Sequence, residues 1–367
     1  MPHLLSKLTK CIHRSHRTTK SVKPKVICEK KYILKFSRFE LMPDEILLEI
    51  FQYISLIDLF NGFVNLNFRL NFLLRDIRSG ICIDQNDDKI NQSLFSTLYY
   101  FSNQITYIHV DRYPLLNLDI FPNLRSLIIY LPTTKQLLSI NSKTMPYLSR
   151  LWLGIIAQKD QIILCNTLFG SEQFSKLYFC NLFEFNLNDN INSFQYSKNI
   201  RKLFITNCQT KDFILLLSLL PHLEQLEICI SNVLSTFSHN LTNFSHKNLR
   251  ILKIEFAEKL GQLNILNSLI SFVPYVQRCT LILINLIKIR DYAHLQNILI
   301  EKFLELREFI CSIDYYCQLT SNEMSSKFQR LRTKLPFFQT MKVIPCEIHH
   351  NQCVRKTWIN KTFIPIC

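Results

Sequence analysis

Two hydrophobic patterns divide the chain. Between Leu41 and Leu74, apolar residues recur at the three- and four-residue spacing of helices. From about residue 100 to residue 345, they follow a different order: an apolar residue, two others, an apolar residue, one other, and an apolar residue. The first pattern predicts a small helical module, and the second predicts a larger region built on short strands.

The helical segment contains start signals for three short helices. Pro43 has the fixed φ that suits a first helical turn, and two acids follow it. Ser55 and Asp58 are cap-type residues that precede a second helix, predicted over 59–64. Asn65 and Asn67 interrupt that helix before a third, predicted over 68–74. A module this small and this apolar cannot bury all of its surface internally. We therefore expect it to lie against the rest of the chain, against a partner, or against both.

The same segment resembles the F-box. The similarity rests on the run MPDEIL from Met42 to Leu47 and on the positions that follow it, Ile50, Phe51, Tyr53, Ile54, Asp58 and Leu59. Met42 and Ile54 stand where the family usually has leucine, which conserves volume. The third helix lacks the usual aromatic residue after its basic residue. The match covers about a tenth of the chain.

The F-box resemblance implies a docking site for the small Skp adaptor, and through it for a cullin-RING ubiquitin ligase. It assigns nine residues to adaptor binding: Met42, Pro43, Ile46, Leu47, Ile50, Phe51, Tyr53, Ile54 and Leu59. The helices could instead cover the open first repeat of the region behind them, as terminal repeats require. Both roles are compatible if one face points inward and another points to the adaptor.

The second pattern returns ten times. Its first apolar residues stand at positions 105, 124, 148, 174, 200, 223, 249, 276, 306 and 338, and six successive intervals measure 23 to 27 residues. The fourth copy reads Phe174, Leu177, Phe179, and the tenth reads Phe338, Met341, Val343. In each copy the last two apolar residues alternate with one other, as in a short strand that turns both inward.

Helical stretches such as 212–220 and 263–272 separate the triplets. A strand plus a helix every ~25 residues closes its core only against stacked neighbours. This organisation resembles the leucine-rich repeat, whose period is about 20–29 residues. We predict an α+β repeat fold, a three-helix F-box followed by an irregular leucine-rich-repeat βα solenoid or horseshoe. The predicted parts are a basic arm over 1–35, the F-box-like module over 36–80, the solenoid over 81–345 and a C-terminal tail or cap over 346–367.

The residues between the inward positions should face the open concave surface of such a solenoid. Three adjacent copies then pair a cation with an aromatic side chain: Arg150 with Trp152, Lys176 with Tyr178, and Lys202 with Phe204. Parallel strands ~4.8 Å apart would place these pairs side by side. They form a candidate hot spot for a target peptide, particularly an acidic or phosphorylated one. The alternative is that loops or the tail cover these aromatic residues as packing.

Composition narrows the function classes. The 367 residues are 48% hydrophobic, with 28 Phe, which predicts a large buried core. The net charge of +15 favours acidic partners, and residues 1–35 are especially basic, with Glu29 as their one acid. Thirteen cysteines without a C-x-x-C pair, and no secretory signal, predict a reducing compartment, the cytoplasm or the nucleus. No apolar stretch is long enough to span a bilayer, so no membrane partner is expected.

Nothing in the sequence predicts catalysis. The five glycines are not clustered, so neither a P-loop nor a dinucleotide-binding loop can form, and no cofactor is expected. No nucleophile elbow or H-E-x-x-H motif occurs. Four possible zinc ligands lie between Cys346 and Cys353, but their spacing matches no recurrent finger, so no metal site is assigned.

The sequence thus predicts a non-catalytic substrate-recognition subunit of a Skp-cullin-F-box ubiquitin ligase. The module would dock the adaptor, and the repeats would hold an unknown target protein. Two other functions compete with this one. The first is a leucine-rich-repeat scaffold that binds proteins but recruits no ligase, and the second is a basic nucleic-acid-binding protein.

Overall fold

A computed structural model gives the fold. It describes residues 39, 41–83, 91–170, 174–185, 194–232, 244–257, 262–284, 289–316, 326, 329–330, 333–334, 342–349 and 352–362. The predicted basic arm over 1–35 lies outside the described residues. The chain divides into two compact units, Met1–Cys82 with Asn86–Tyr107, and Ile83–Gln85 with Ile108–Cys367.

The first unit contains the three predicted helices. They are α1 (Asp44–Gln52), α2 (Leu56–Phe63) and α3 (Phe68–Asp76). The second helix begins three residues earlier than predicted, because Ser55 is its N-cap and accepts the Asp58 N–H at 3.1 Å. Asn67 caps α3 in the same way, through the Leu70 N–H at 2.8 Å.

The helices of the first unit pack around a small aromatic core. The Phe51 ring lies 5.0 Å from the Phe63 ring and 6.3 Å from the Phe39 ring, between centroids. A further helix that the sequence pattern missed, α4 (Asn91–Tyr100), packs against α2 through Tyr100 and Phe60, whose rings are 5.8 Å apart. Strand β1 (Ser79–Ile83) completes this unit beside the start of β2.

The second unit combines strands with helices that connect several of them. Its strands are β2 (Ile105–Val110, which begins in the first unit), β3 (Ser126–Ile129), β4 (Arg150–Leu153), β5 (Phe179–Phe185), β6 (Lys202–Gln209), β7 (Gln225–Asn232), β8 (Ile251–Phe256), β9 (Arg278–Ile284), β10 (Glu308–Tyr316), β11 (Lys342–His349) and β12 (Gln352–Thr362). Its helices are α5 (Thr134–Ser139), α6 (Gln161–Phe169), α7 (Thr210–Leu219), α8 (Gln262–Ile270) and α9 (Ile289–Lys302). Within the described ranges, no helix is long and apolar enough to cross a membrane.

Strands β3 to β10 pair in parallel and in chain order. A repeated backbone contact holds them in register: the Arg125 carbonyl accepts the N–H groups of Ser149 and Arg150, at 2.8 and 3.0 Å. Each later copy repeats this contact, with the accepting carbonyl at Ser149, Tyr178, Arg201, Glu224, Arg250 and Gln277. The fold is therefore α/β with a repeat-like parallel sheet.

The inward positions confirm most of the predicted triplets. In the copies that begin at 105, 124, 148, 200, 223, 249, 276 and 306, the last two apolar residues are buried. The helices cover this buried face: the Phe169 ring of α6 lies 6.1 Å from the Phe185 ring of β5. The cysteines at two of these inward places, Cys279 and Cys311, behave as small apolar core residues.

The fourth predicted triplet is wrong by three residues. Cys180 and Leu182 are the buried strand residues, and Phe179 lies next to Arg150 on the opposite face. Two overlapping triplets fit the sequence, one starting at Phe174 and one at Leu177, and both of these residues are buried. The apolar pattern therefore could not choose between the two registers.

The tenth predicted copy is not a parallel repeat. Strand β11 pairs antiparallel with β12, and β12 pairs antiparallel with β10. Phe338 and Met341 lie outside the described residues. The predicted boundary at 345 falls inside β11, and the predicted tail contains β12. This hairpin satisfies the backbone donors and acceptors on the edge of the last parallel strand.

Candidate functional site

The open face of the sheet is the face opposite the helices. Because the parallel strands are in register, side chains at equivalent positions form rows across them. The first row is Ser126, Arg150, Phe179, Lys202, Gln225, Ile251, Arg278 and Glu308. The second row is Ile128, Trp152, Asn181, Phe204, Glu227, Lys253, Thr280 and Ile310.

Four of the six predicted target-binding residues lie in these rows. Arg150 and Lys202 are in the first row, and Trp152 and Phe204 are in the second. The placement of the other two, Lys176 and Tyr178, was wrong, because the register of β5 is shifted by three residues. Phe179 and Asn181 occupy the places that these two residues were expected to fill.

Lys176 and Tyr178 instead contact the preceding repeat from the turn before β5. The Arg150 Nε donates a hydrogen bond to the Tyr178 hydroxyl at 2.7 Å, and the guanidinium carbon lies 5.8 Å from the Tyr178 ring centroid. The Lys176 Nζ lies 4.2 Å from the ring centroid of Tyr147. Both contacts join a cation to a tyrosine across neighbouring repeats.

The part of the open face on β3 to β6, here called the aromatic half, has partly exposed aromatic side chains. The Phe179 and Phe204 rings are 5.1 Å apart, and the Tyr130 and Trp152 rings are 6.0 Å apart. The backbone of the same two repeats also approaches closely at Gly154, where a Cβ would collide with the Tyr130 carbonyl. Trp152 remains 36% exposed. The aromatic residues are thus neither fully packed nor fully solvated, which suits contact with a ligand.

Charge is distributed differently on β7 to β10, here called the paired half. The Lys253 Nζ lies 3.4 Å from Glu227 Oε2, and the Arg278 Nε lies 3.1 Å from Glu308 Oε2. Gln225 donates a further hydrogen bond to Glu227 at 3.0 Å. Cations on this half are therefore largely compensated by neighbouring carboxylates.

The two cations of the aromatic half, Arg150 and Lys202, lack such compensation. No carboxylate in the described part of the chain lies within the 4.0 Å of a salt bridge to either of them. The rows of β3 to β6 also carry no acidic residue. An uncompensated positive charge beside exposed aromatic rings is a site that can attract an anionic ligand.

The helical module of the first unit has both a core and an exposed apolar surface. Leu47, Phe51 and Leu59 are buried, so their assignment to adaptor binding was wrong. They face the neighbouring helices and stabilise the module. Of the other predicted docking residues, Pro43, Ile46 and Tyr53 are exposed, and Met42, Ile50 and Ile54 are partly exposed.

Helix α3 and its flanks add exposed apolar residues that the sequence pattern did not single out. Phe68 is 86% exposed, and Leu41, Leu66 and Phe72 are also largely exposed. We call Leu41, Ile46, Tyr53, Leu66, Phe68 and Phe72 the exposed apolar surface of the module. The i, i+4 spacing of Phe68 and Phe72 was the signal that could have identified this side of α3.

Arg69 joins the two helices that carry this surface. Its Nη2 donates to the Met42 carbonyl and to Asp44 Oδ1, both at 2.5 Å, and its Nε also donates to Asp44 at 2.7 Å. A guanidinium bound by its fork keeps the first turn of α1 against the first turn of α3. The exposed residues of the two helices are therefore held on one small body.

The thiols of five of the seven described cysteines are poorly reactive, because burial raises their pKa. Burial, with a smaller effect of Asp212, raises the pKa of Cys165 to about 12, and burial with Glu255 raises the pKa of Cys229 to about 11. Burial also raises the pKa of Cys180, Cys279 and Cys311. These five thiols stay protonated at neutral pH, which makes them poor nucleophiles and poor metal ligands.

One buried histidine belongs to the stacking of the repeats. The Nε2 of His246 lies 2.8 Å from the Leu220 carbonyl, and its Nδ1 accepts the Leu249 N–H at 3.1 Å. This pattern requires the neutral ring, and burial lowers the pKa of His246 although the hydrogen bond to Leu220 opposes the shift. Among the described residues, no group of His, Cys, Asp and Glu could hold a metal ion. The side chains of the candidate ligands between Cys346 and Cys353 lie outside the described set.

No protein-family model matches the chain. No curated protein matches its sequence significantly.

Proposed function

We propose that this protein is the substrate-recognition subunit of a Skp-cullin-F-box ubiquitin ligase. The F-box-like helices would bind the Skp adaptor, and the open face of the sheet would bind the target protein. The observation that carries this proposal is the exposed apolar surface of the module, on the segment whose sequence resembles the F-box. Several large apolar side chains exposed on one small helical body favour a protein partner.

The size of the exposed side chains is sufficient for docking. Ile46, Tyr53 and Phe68 leave from 44% to 86% of their surface in water. Burying a side chain of this kind contributes roughly 1.5–3 kcal/mol, so several together support a stable contact. Because Leu47, Phe51 and Leu59 hold the module together from inside, the docking residues can face outward without weakening its core.

The mechanism of such a receptor is proximity. A target on the open face and a ligase on the module would share one chain, which raises the effective concentration of target lysines near the ubiquitin-charged enzyme. The chemistry would belong to the partner ligase. The target would be a protein with acidic or phosphorylated segments, since no described carboxylate lies within 4.0 Å of the cations of the aromatic half.

Co-purification with a Skp adaptor tests this proposal. We expect the wild-type chain to bind the adaptor, and Ile46→Asp combined with Phe68→Asp to abolish binding, because two charges would be buried without partners. Both positions are exposed, so the variant should keep the wild-type thermal unfolding profile. Leu115→Asp, an equally exposed apolar position in the second unit, is the matched control and should bind normally.

The competing scaffold function would replace the proposal if the folded wild-type chain fails to bind the adaptor. The open face would still support that function, because its aromatic half requires no ligase. A nucleic-acid-binding role is less favoured. Glu227, Glu255 and Glu308 interrupt the positive charge of the open face, and a continuous path for phosphates would need that charge to persist.

A further inference from the structure

We propose that the aromatic half binds an extended acidic peptide across β4 to β6, with Arg150 as its main anion-binding group and Tyr178 as the residue that positions Arg150. The inference rests on the proposed function only in treating the peptide as a segment of the target protein. The peptide would present carboxylate or phosphate groups to Arg150 and Lys202, and apolar groups to Trp152 and Phe204.

Arg150 differs from three other arginines that stand at or just before the start of a strand. Arg201 lies 3.4 Å from a carboxylate oxygen of Glu224, Arg250 lies 3.1 Å from Glu305, and Arg278 is paired within its own row. Arg150 is held by the neutral hydroxyl of Tyr178 instead. Its orientation is thus restrained while its charge remains uncompensated.

The contact with Tyr178 also decides which donors of Arg150 a ligand can use. The Nε is occupied by the Tyr178 hydroxyl, which leaves the two terminal Nη groups of the fork for an anion. Paired N–H donors of this kind match the two oxygens of a carboxylate or phosphate. A restrained arginine loses less side-chain entropy when it binds, which improves affinity.

The distance from Arg150 to the second cation, Lys202, determines the spacing of the acidic groups in the ligand. Lys202 lies in the same row as Arg150, two strands further along, with Phe179 between them. Two strand spacings amount to ~10 Å, and acidic residues two or three positions apart in an extended peptide are separated by ~7–10 Å. Two acids, or two phosphorylated residues, at that separation would reach both cations.

Asn181 lies at the centre of the second row, between Trp152 and Phe204. A side-chain amide can both donate to and accept from a peptide backbone, which suits the middle of a strand-like ligand. The flanking aromatic rings would cover the apolar side chains of that peptide. Beyond β6 the ligand would meet Glu227, whose charge disfavours an acidic peptide and limits the site to the aromatic half.

Degenerate peptide libraries test the class of ligand. The probes are fluorescein-labelled nine-residue libraries in which two central positions, three residues apart, are both alanine, glutamate, phosphoserine or lysine. We expect the glutamate or phosphoserine library to bind the full chain at least about tenfold more tightly than the alanine and lysine libraries, by fluorescence polarisation. The better of the two acidic libraries identifies the anion as carboxylate or phosphate.

Equal affinity for all four libraries, or preference for lysine, would overturn the proposal. An oligothymidylate probe that binds more tightly than every peptide would overturn it in favour of nucleic acid. These outcomes are separable from the proposed function, because they are measured without the adaptor. A chain that binds the adaptor but prefers no acidic library retains the first proposal and loses this one.

A double-mutant cycle tests the positioning role of Tyr178. Tyr178→Phe keeps the ring beside Arg150 but removes the hydroxyl that accepts its hydrogen bond. We expect roughly fivefold weaker binding of the better acidic library, with unchanged binding of the alanine library. In an Arg150→Met background the same substitution should have no further effect, whereas equal losses in both backgrounds would show that Tyr178 has only a structural role.

Discussion

The two halves of the open face are built from the same repeating unit, but their cations have different neighbours. In the paired half, Lys253 and Arg278 each meet a carboxylate on an adjacent strand. In the aromatic half, Arg150 and Lys202 meet aromatic rings and a tyrosine hydroxyl instead. The repeat architecture therefore determines the positions of the side chains. The identity of the residues in each row determines whether the cations are paired within the protein or can bind a ligand.

The largest expected effect comes from removing the aromatic rings of the second row. Trp152→Ala combined with Phe204→Ala should weaken binding of the better acidic peptide library by about 2–4 kcal/mol, because central aromatic residues dominate interface energies. Fluorescence polarisation measures this loss. Thr280→Ala combined with Ile310→Ala changes the same row in the paired half and should have little effect. Similar losses in both double variants would remove the distinction between the halves.

An effect of intermediate size is expected from His246, the buried histidine in the stack of repeats, and a pH titration measures it. Because the pKa of His246 is lower in the folded chain than its usual 6.5, the unfolded chain binds a proton below that pH and the folded chain does not. The free energy of unfolding should therefore fall as the pH drops below about 6.5, by ~1.4 kcal/mol for each unit of pKa difference.

Urea denaturation between pH 7.5 and 5.5 measures this fall. His246→Leu should remove this contribution to the pH dependence, and it should lower stability at pH 7.5 by about 1–3 kcal/mol because the Leu220 carbonyl and the Leu249 N–H lose their partner. His294→Gln, at an exposed position on α9, should keep the wild-type pH profile. A fall that persists undiminished in the His246 variant would assign the pH dependence to other groups.

The smallest expected effect comes from releasing a cation in the paired half. Glu227→Gln removes the carboxylate that lies 3.4 Å from Lys253, so acidic libraries should bind about two- to threefold more tightly at low salt and lose this gain at high salt. Stability should change by less than ~1 kcal/mol, because the pair is still partly exposed to water and surface ion pairs contribute little. Glu301→Gln on α9 is the matched control. If Glu227→Gln and Glu301→Gln bind the acidic libraries equally well, the Glu227–Lys253 ion pair does not account for the difference between the two halves.

Sequence patterns predicted the elements better than their register. The three helices of the module followed from Pro43, from the cap-type residues Ser55 and Asp58, and from the interruption at Asn65 and Asn67, since caps and fixed φ act locally. Eight of the ten triplets placed their inward residues correctly, because removing apolar surface from water favours inward positions for apolar side chains. At β5 two overlapping triplets were equally apolar, so only pairing with β4 and β6 could select Cys180 and Leu182.

For the candidate sites, too, the sequence predicted which face a residue lies on better than it predicted contacts between repeats. Arg150, Trp152, Lys202 and Phe204 could be placed on the open face from alternation alone, because period-two patterning is a property of each strand. The contact between Tyr178 and Arg150 could not, since it joins residues 28 positions apart through the register of two repeats. Likewise, whether an apolar residue of the module is core, like Leu59, or exposed, like Phe68, depends on which helix packs over it.

The sequence by itself determined a helical module, a repeating strand–helix unit and the face of most strands, because these depend on local propensity and hydrophobic period. Only the tertiary structure decided the register of β5, the antiparallel hairpin after β10, the buried place of Leu47, Phe51 and Leu59, and the cations that remain without acids. The reason is physical: strand pairing and charge pairing are made between residues distant in the chain, and their geometry follows from how the repeats stack.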